Sequence, residues 1–90
     1  MTETVKLQQR IDHVGAQEFY ENLKNFRGLP VSIDGTEVVS GGTLLAQILL
    51  AMAREWNAGS SLFELKASAA LHAEFECLGL DSDFRTEGLI

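Results

Sequence analysis

The sequence predicts an α/β layer, with helices packed on a largely parallel sheet. Three observations predict it. Short apolar runs of strand character alternate with amphipathic helical stretches, in the order strand, helix, strand, helix, strand, helix. Glycines and polar clusters bound nearly every piece. The 90 residues are 46% hydrophobic with one proline, enough for one small core and not for two. One domain is therefore expected over 1–90, with its core at about 4–84 and a loosely held tail from 85 to 90.

The elements follow in chain order. Thr4 to Leu7 alternates polar and apolar residues, the period of a half-buried strand. Whether the first twelve residues hold one strand or two is open. Asp12 is placed to cap a helix whose apolar face is Ala16, Phe19, Tyr20, Leu23 and Phe26, and Gly28 can stop it. Leu29 to Ile33 reads as a buried strand ending at Asp34-Gly35, with Pro30 tolerated near its start. Thr36 to Val39 is a second short extended piece or a loop. Ser40-Gly41-Gly42-Thr43 then opens the longest helix, from Leu44 to about Ala58, closed by Gly59. Its main stripe is Leu45, Ile48, Leu49, Met52 and Trp56. Leu44, Ala46, Leu50, Ala51 and Ala53 widen that stripe almost all round, so more than one side must be covered or offered to a partner. Ser61 to Lys66 is strand-like. Ser68 can cap a third helix with Leu71, Phe75 and Leu78 on one face, ended by Gly79 and followed by Leu80. The segment from Asp81 reads as polar until Leu89-Ile90.

Charge and cysteine content exclude several functions. Thirteen acidic against seven basic residues give a net charge of -6. The bases are scattered singly, so nucleic-acid binding is disfavoured. One cysteine allows no internal disulfide. MTETVKLQQR lacks the apolar core of a signal peptide, and Leu44 to Ala53 is too short to span a bilayer. The expectation is a cytoplasmic protein with no membrane insertion.

The segment I33-D-G-T-E-V-V-S-G-G-T-L-L-A-Q-I-L-L resembles the central stretch of STAS domains, the sulfate-transporter and anti-sigma-factor-antagonist domains. L7-Q-Q-R-I-D resembles the entry to their first helix. S60-S-L-F-E-L resembles the strand after the long helix, and S68-A-A-L-H-A-E-F-E-C-L-G-L the closing helix. The resemblance spans about residues 4 to 84 and rests on the ordered set rather than on one strong motif. It implies a mostly parallel sheet of four to five strands with helices mainly on one face. It also implies a noncatalytic protein-binding module, in the manner of an anti-sigma-factor antagonist. The implied partner is an anti-sigma factor with a histidine-kinase-like ATPase fold. A transporter ATPase is the alternative, with the chain as accessory subunit of a lipid-type ABC transporter. A chemotaxis-linked adaptor is a third variant, and a homodimer is compatible with all of them. No cofactor is implied.

In that family a Ser or Thr at the start of the second helix is phosphorylated. Aligning Leu44 on the family's apolar residue puts Ser40 on its Asp, Gly41 and Gly42 on the two hydroxyl positions, and Thr43 on its Gly. Gly42 then stands at the usual phosphoacceptor position and has no side chain to modify. Ser40 or Thr43 would be the nonstandard acceptor after a shift of one or two residues. Asp34 matches the family's strand-end Asp. The expected contact surface is the Asp34 to Thr43 loop with the helix flank near Leu44, Gln47 and Ala51.

Plainer readings stand beside these. Ser40-Gly41-Gly42-Thr43 lacks the Lys and the spacing of a nucleotide loop, and reads first as a tight turn capped by Ser40 or Thr43, ahead of a regulated or partner-contacting turn. His13 and His72 have no metal-ligand spacing. Cys77 reads as a small buried hydrophobe, and Glu74 and Glu76 as solvated charges pointing apart. Trp56 reads as core unless exposed. No Ser-His-Asp or Cys-His arrangement can be placed, so no enzyme is expected.

Overall fold

The computed structural model describes residues 3–89. Three strands and four helices follow one another: β1 (Glu3–Lys6), α1 (His13–Lys24), β2 (Val31–Gly35), α2 (Gly42–Ala58), β3 (Phe63–Ala67), α3 (Ala69–Cys77) and α4 (Asp81–Thr86). The sheet order is β1-β2-β3, and both pairings are parallel. The described residues therefore form three strands where four to five were expected. Residues 36–39 are a turn rather than a strand, and 7–12 add only one isolated parallel bridge, Arg10 to Ser40.

Register divides the sheet into two unlike faces. Val5, Ile33 and Leu65 stand in one row, with Val31 beside Phe63 in the next. Val31, Ile33, Phe63 and Leu65 are buried. The alternate rows are Thr4-Ser32-Glu64 and Lys6-Asp34-Lys66. Thr4, Lys6, Glu64 and Lys66 are exposed. Strands buried on both faces read as continuous apolar runs, whereas these alternate, which fits helices covering one face.

The helices fill the covered side for local reasons. Asp12 Oδ1 accepts from Gly15 N at 2.7 Å, so the predicted cap of α1 is made. Ala16, Phe19 and Leu23 are its buried face. The helix ends at Lys24 with Asn25 as its cap, short of Phe26 and of the expected stop at Gly28, which takes φ 81° in the turn that follows. α2 buries Leu45, Leu49, Met52 and Trp56 with Ala46, Leu50 and Ala53, while Ile48 and Leu44 are half-buried and Ala51 is exposed. Trp56 is core, not a partner anchor. Its Nε1 donates to the Leu29 carbonyl at 2.7 Å and its ring meets Phe63 edge-on at 5.7 Å. Ser68 caps α3 as predicted. Its hydroxyl accepts from Leu71 N at 3.0 Å and donates to the Val38 carbonyl at 2.6 Å. Leu71 and Phe75 are buried, but Leu78, expected on the same face, is 38% exposed.

The C-terminal expectation is corrected. The segment from Asp81 holds the short helix α4, and the stretch after Phe84 is anchored by the buried Leu89 although Arg85, Thr86 and Gly88 are exposed. Phe84 is fully buried, its ring stacked on Phe75 at 3.9 Å, and Leu89 is 6% exposed. Arg54 of α2 reaches Asp83 and Glu87, and Asn57 Nδ2 donates to Glu87. Apolar burial holds this end, and the exposed ion pairs add little. Ile90 lies outside the described residues.

Candidate functional site

The corner between β2 and α2 gathers most of the predicted contact residues. Gly41, Gly42, Thr43, Leu44 and Gln47 line one shallow groove, closed on the far side by Ile11, Asp12 and His13 of the α1 entry. Gly42 and Thr43 also border a second groove of about 240 Å³ against α3, where Ala70, Ala73, Cys77 and Leu78 supply a largely apolar wall. Thr43 thus sits on the ridge between two depressions. Ser40, Gly42, Thr43 and Gln47 are exposed, Leu44 is half-buried and Gly41 is buried. Val39, just before the corner, is 54% exposed.

Backbone bonds hold the corner from the α1 side. The Val39 and Ser40 amides donate to the Gln9 carbonyl at 2.7 and 3.2 Å, and Ile11 N donates to the Ser40 carbonyl at 2.9 Å. The expected cap by Ser40 or Thr43 is not made. The N-cap of α2 is Gly41, with no capping side chain of its own. Glu74, from α3, takes that role. Gly41 N donates to its Oε1 at 3.2 Å and Oε2 at 3.0 Å, and Gly42 N donates to Oε2 at 3.1 Å. The reading of Glu74 as a solvated charge is therefore overturned. A carboxylate at a helix start satisfies orphan N–H groups and meets the positive end of the dipole. Glu76 does match expectation in pointing elsewhere. It is exposed, with His72 Nε2 at 3.5 Å.

Gly42 adopts φ 75°. Side-chain-bearing residues rarely occupy that region, so the position lacks a hydroxyl and also disfavours a Ser or Thr in this backbone shape. Thr43 and Ser40 remain the exposed hydroxyls of the corner.

Asp34 does not join the groove residues. It stands on the open sheet face in register with Lys6 and Lys66. Its Oδ1 accepts from the Thr36 hydroxyl at 2.7 Å and from Thr36 N at 3.1 Å, a turn that ends β2. The Thr36 hydroxyl, then the Thr36 amide, hold its carboxyl below the ordinary carboxylate range, with Lys6 and Lys66 adding to this against a small opposing effect of burial. Lys6 is pushed up, first by its hydrogen bond to Glu37 and then by that carboxylate's charge, at 2.6 Å. Asp34 is thus a turn-former rather than a wall of the β2–α2 corner.

Cys77, read as a buried hydrophobe, is exposed at the end of α3. No group of three or more His, Cys, Asp and Glu able to hold a metal occurs among the described residues, and no helix there is long and apolar enough to cross a membrane. The depression between β1 and α1 measures about 110 Å³. The open grooves along α1 and at the β2–α2 corner measure about 540 and 470 Å³.

The signal missed in the sequence was Glu74. It lies 33 residues from Gly41, so no local pattern connects them. No protein-family model, curated protein or solved structure matches the chain.

Proposed function

We propose that the chain is a noncatalytic, STAS-like docking module that binds a protein partner through the β2–α2 corner. Its partner in this reading is an anti-sigma factor of the histidine-kinase-like ATPase type. The observation that carries the reading is the exposure of Gly42, Thr43 and Gln47 between two grooves, one of them walled by Ala70, Ala73 and Leu78. A partner can bury apolar surface there without unfolding the domain. The parallel β-α-β-α-β-α order supports the same reading, because such sheets bind at the loops following their strands.

The test is affinity capture from the source cell, followed by binding of the purified candidate ATPase to Thr43→Glu. The residue is exposed, so folding should persist while the added charge blocks burial. Loss of about tenfold or more in affinity is expected. Unchanged affinity for a verified partner would place the interface elsewhere.

Gly42 favours a second reading. Its φ of 75° and missing side chain suit a permanent subunit better than a phosphorylated switch. In that reading the chain is an accessory subunit docked on an ABC transporter ATPase. Capture of a transporter ATPase rather than a kinase-type ATPase would select it.

A further inference from the structure

The start of α2 has an anion already in place, and the chain supplies it. Gly41 and Gly42 direct their N–H groups at one carboxylate, Glu74, at 3.0 to 3.2 Å. Both glycines are also backbone-constrained. A Cβ on Gly41 would lie 2.6 Å from Leu45 Cδ2 and 3.3 Å from Leu71 Cδ1, so leucine packing crowds the position, with Glu74 Oε2 at an ordinary contact distance of 3.4 Å. The φ of 75° at Gly42 lies in the left-handed region that side-chain-bearing residues rarely enter. Glu74 is half-buried on α3, between the buried Leu71 and Phe75 and the exposed Cys77 and Leu78.

We propose that Glu74 is an internal anionic ligand of the α2 start: it holds the corner in one conformation and closes it to external carboxylate or phosphate. Glu74 is a positioning residue here. It ties the outer wall of one groove, α3, to the ridge that separates both. The consequence for binding rests on the docking reading above: a partner meets a corner whose Gly41 and Gly42 amides are already engaged. An anionic group on the partner would gain those two donors only by displacing Glu74.

The test uses the isolated chain and needs no partner. Amide exchange and amide chemical shifts of Gly41 and Gly42 are followed by NMR in the wild type, Glu74→Ala and Glu74→Gln. Sodium acetate and inorganic phosphate are titrated against chloride at constant ionic strength. In the wild type both amides should stay unmoved by either anion. In Glu74→Ala they should exchange about tenfold faster or more, and acetate or phosphate should shift them saturably and slow exchange again. Such rescue by a free anion is not produced by a side chain that merely fills space. If Glu74→Ala fails to fold, Glu74→Gln keeps the shape without the charge, and faster exchange at Gly41 and Gly42 in it supports the proposal. Wild-type amides that titrate as strongly as the Ala variant would overturn it, as would unchanged exchange in the folded variants. A corner that passes this test while Thr43→Glu leaves partner affinity intact would sink the docking reading alone. The reverse pair of results would sink the internal anion alone.

Discussion

Replacing Phe84 by Ala tests whether the C-terminal helix belongs to the core. The ring is fully buried and lies nearly parallel to Phe75, 9° between planes at 3.9 Å. Burying a Phe side chain is worth about 1.5–3 kcal/mol. The ring pair adds about 0.5–1.5 kcal/mol. Residual void costs about 24 cal/mol per Å³, so a void of roughly 40 Å³ adds about 1 kcal/mol. The expected loss is about 3–5 kcal/mol, in the range usual for Phe→Ala. At about 0.05–0.15 kcal/mol per residue, a chain of 90 residues holds roughly 5–14 kcal/mol in total. The variant should therefore lose a large share of its stability, with a Tm lower by roughly 12–40 °C. Urea unfolding followed by circular dichroism measures it, because a changed midpoint at constant slope isolates stability. A loss under about 1 kcal/mol with the slope unchanged would show that α4 is not docked on Phe75, and the packing described here for 81–89 would be wrong.

Three other expectations follow from single contacts. Ser68→Ala removes both the cap on Leu71 N and the donor to the Val38 carbonyl, and should cost about 1–3 kcal/mol in the same urea assay. Trp56→Phe leaves the Leu29 carbonyl without its indole donor while keeping an aromatic ring beside Phe63. A loss of about 1–3 kcal/mol is expected, and an unchanged midpoint would deny that the hydrogen bond matters. Asp34 contributes stability that is complete above the ordinary carboxylate range and fades as pH falls through its lowered pKa. Thr36→Val removes the largest cause of that lowering, so the Asp34 carboxyl should titrate at higher pH by NMR, and an unmoved titration would assign the effect to the residue-36 amide and the lysines instead.

Much of the architecture was legible because local chemistry announces it. Asp12 and Ser68 stand just before apolar-periodic stretches, and both make the caps their types predict. Gly79 adopts the left-handed turn that ends α3, at φ 72°, whereas α1 stops at Lys24 with Asn25 as its cap, before Gly28 is reached. Gly59 does follow α2, but at φ -87°, and the left-handed residue is Ser60 instead. α4 was illegible for a different reason. Its single buried aromatic, Phe84, sits among Asp81, Ser82, Asp83 and Arg85, and one apolar residue makes no period. Leu80 and Phe84 are four apart, the one trace of helical spacing available. At the candidate site the exposed corner was foreseeable from Ser40-Gly41-Gly42-Thr43. Its cap was not, because Glu74 reaches it through tertiary packing, and adjacent Glu76 has the same chemistry without the contact.

Among the described residues the sheet has three strands, so β1 and β3 each form a rim along which backbone groups have no neighbouring strand there. Such rims invite lateral accretion of further chains. Here Glu3 and Lys6 punctuate one and Glu64 and Lys66 the other, all in contact with water. An incoming strand would have to strip hydration from these charges before gaining a ladder, which penalises edge-to-edge growth of the small sheet.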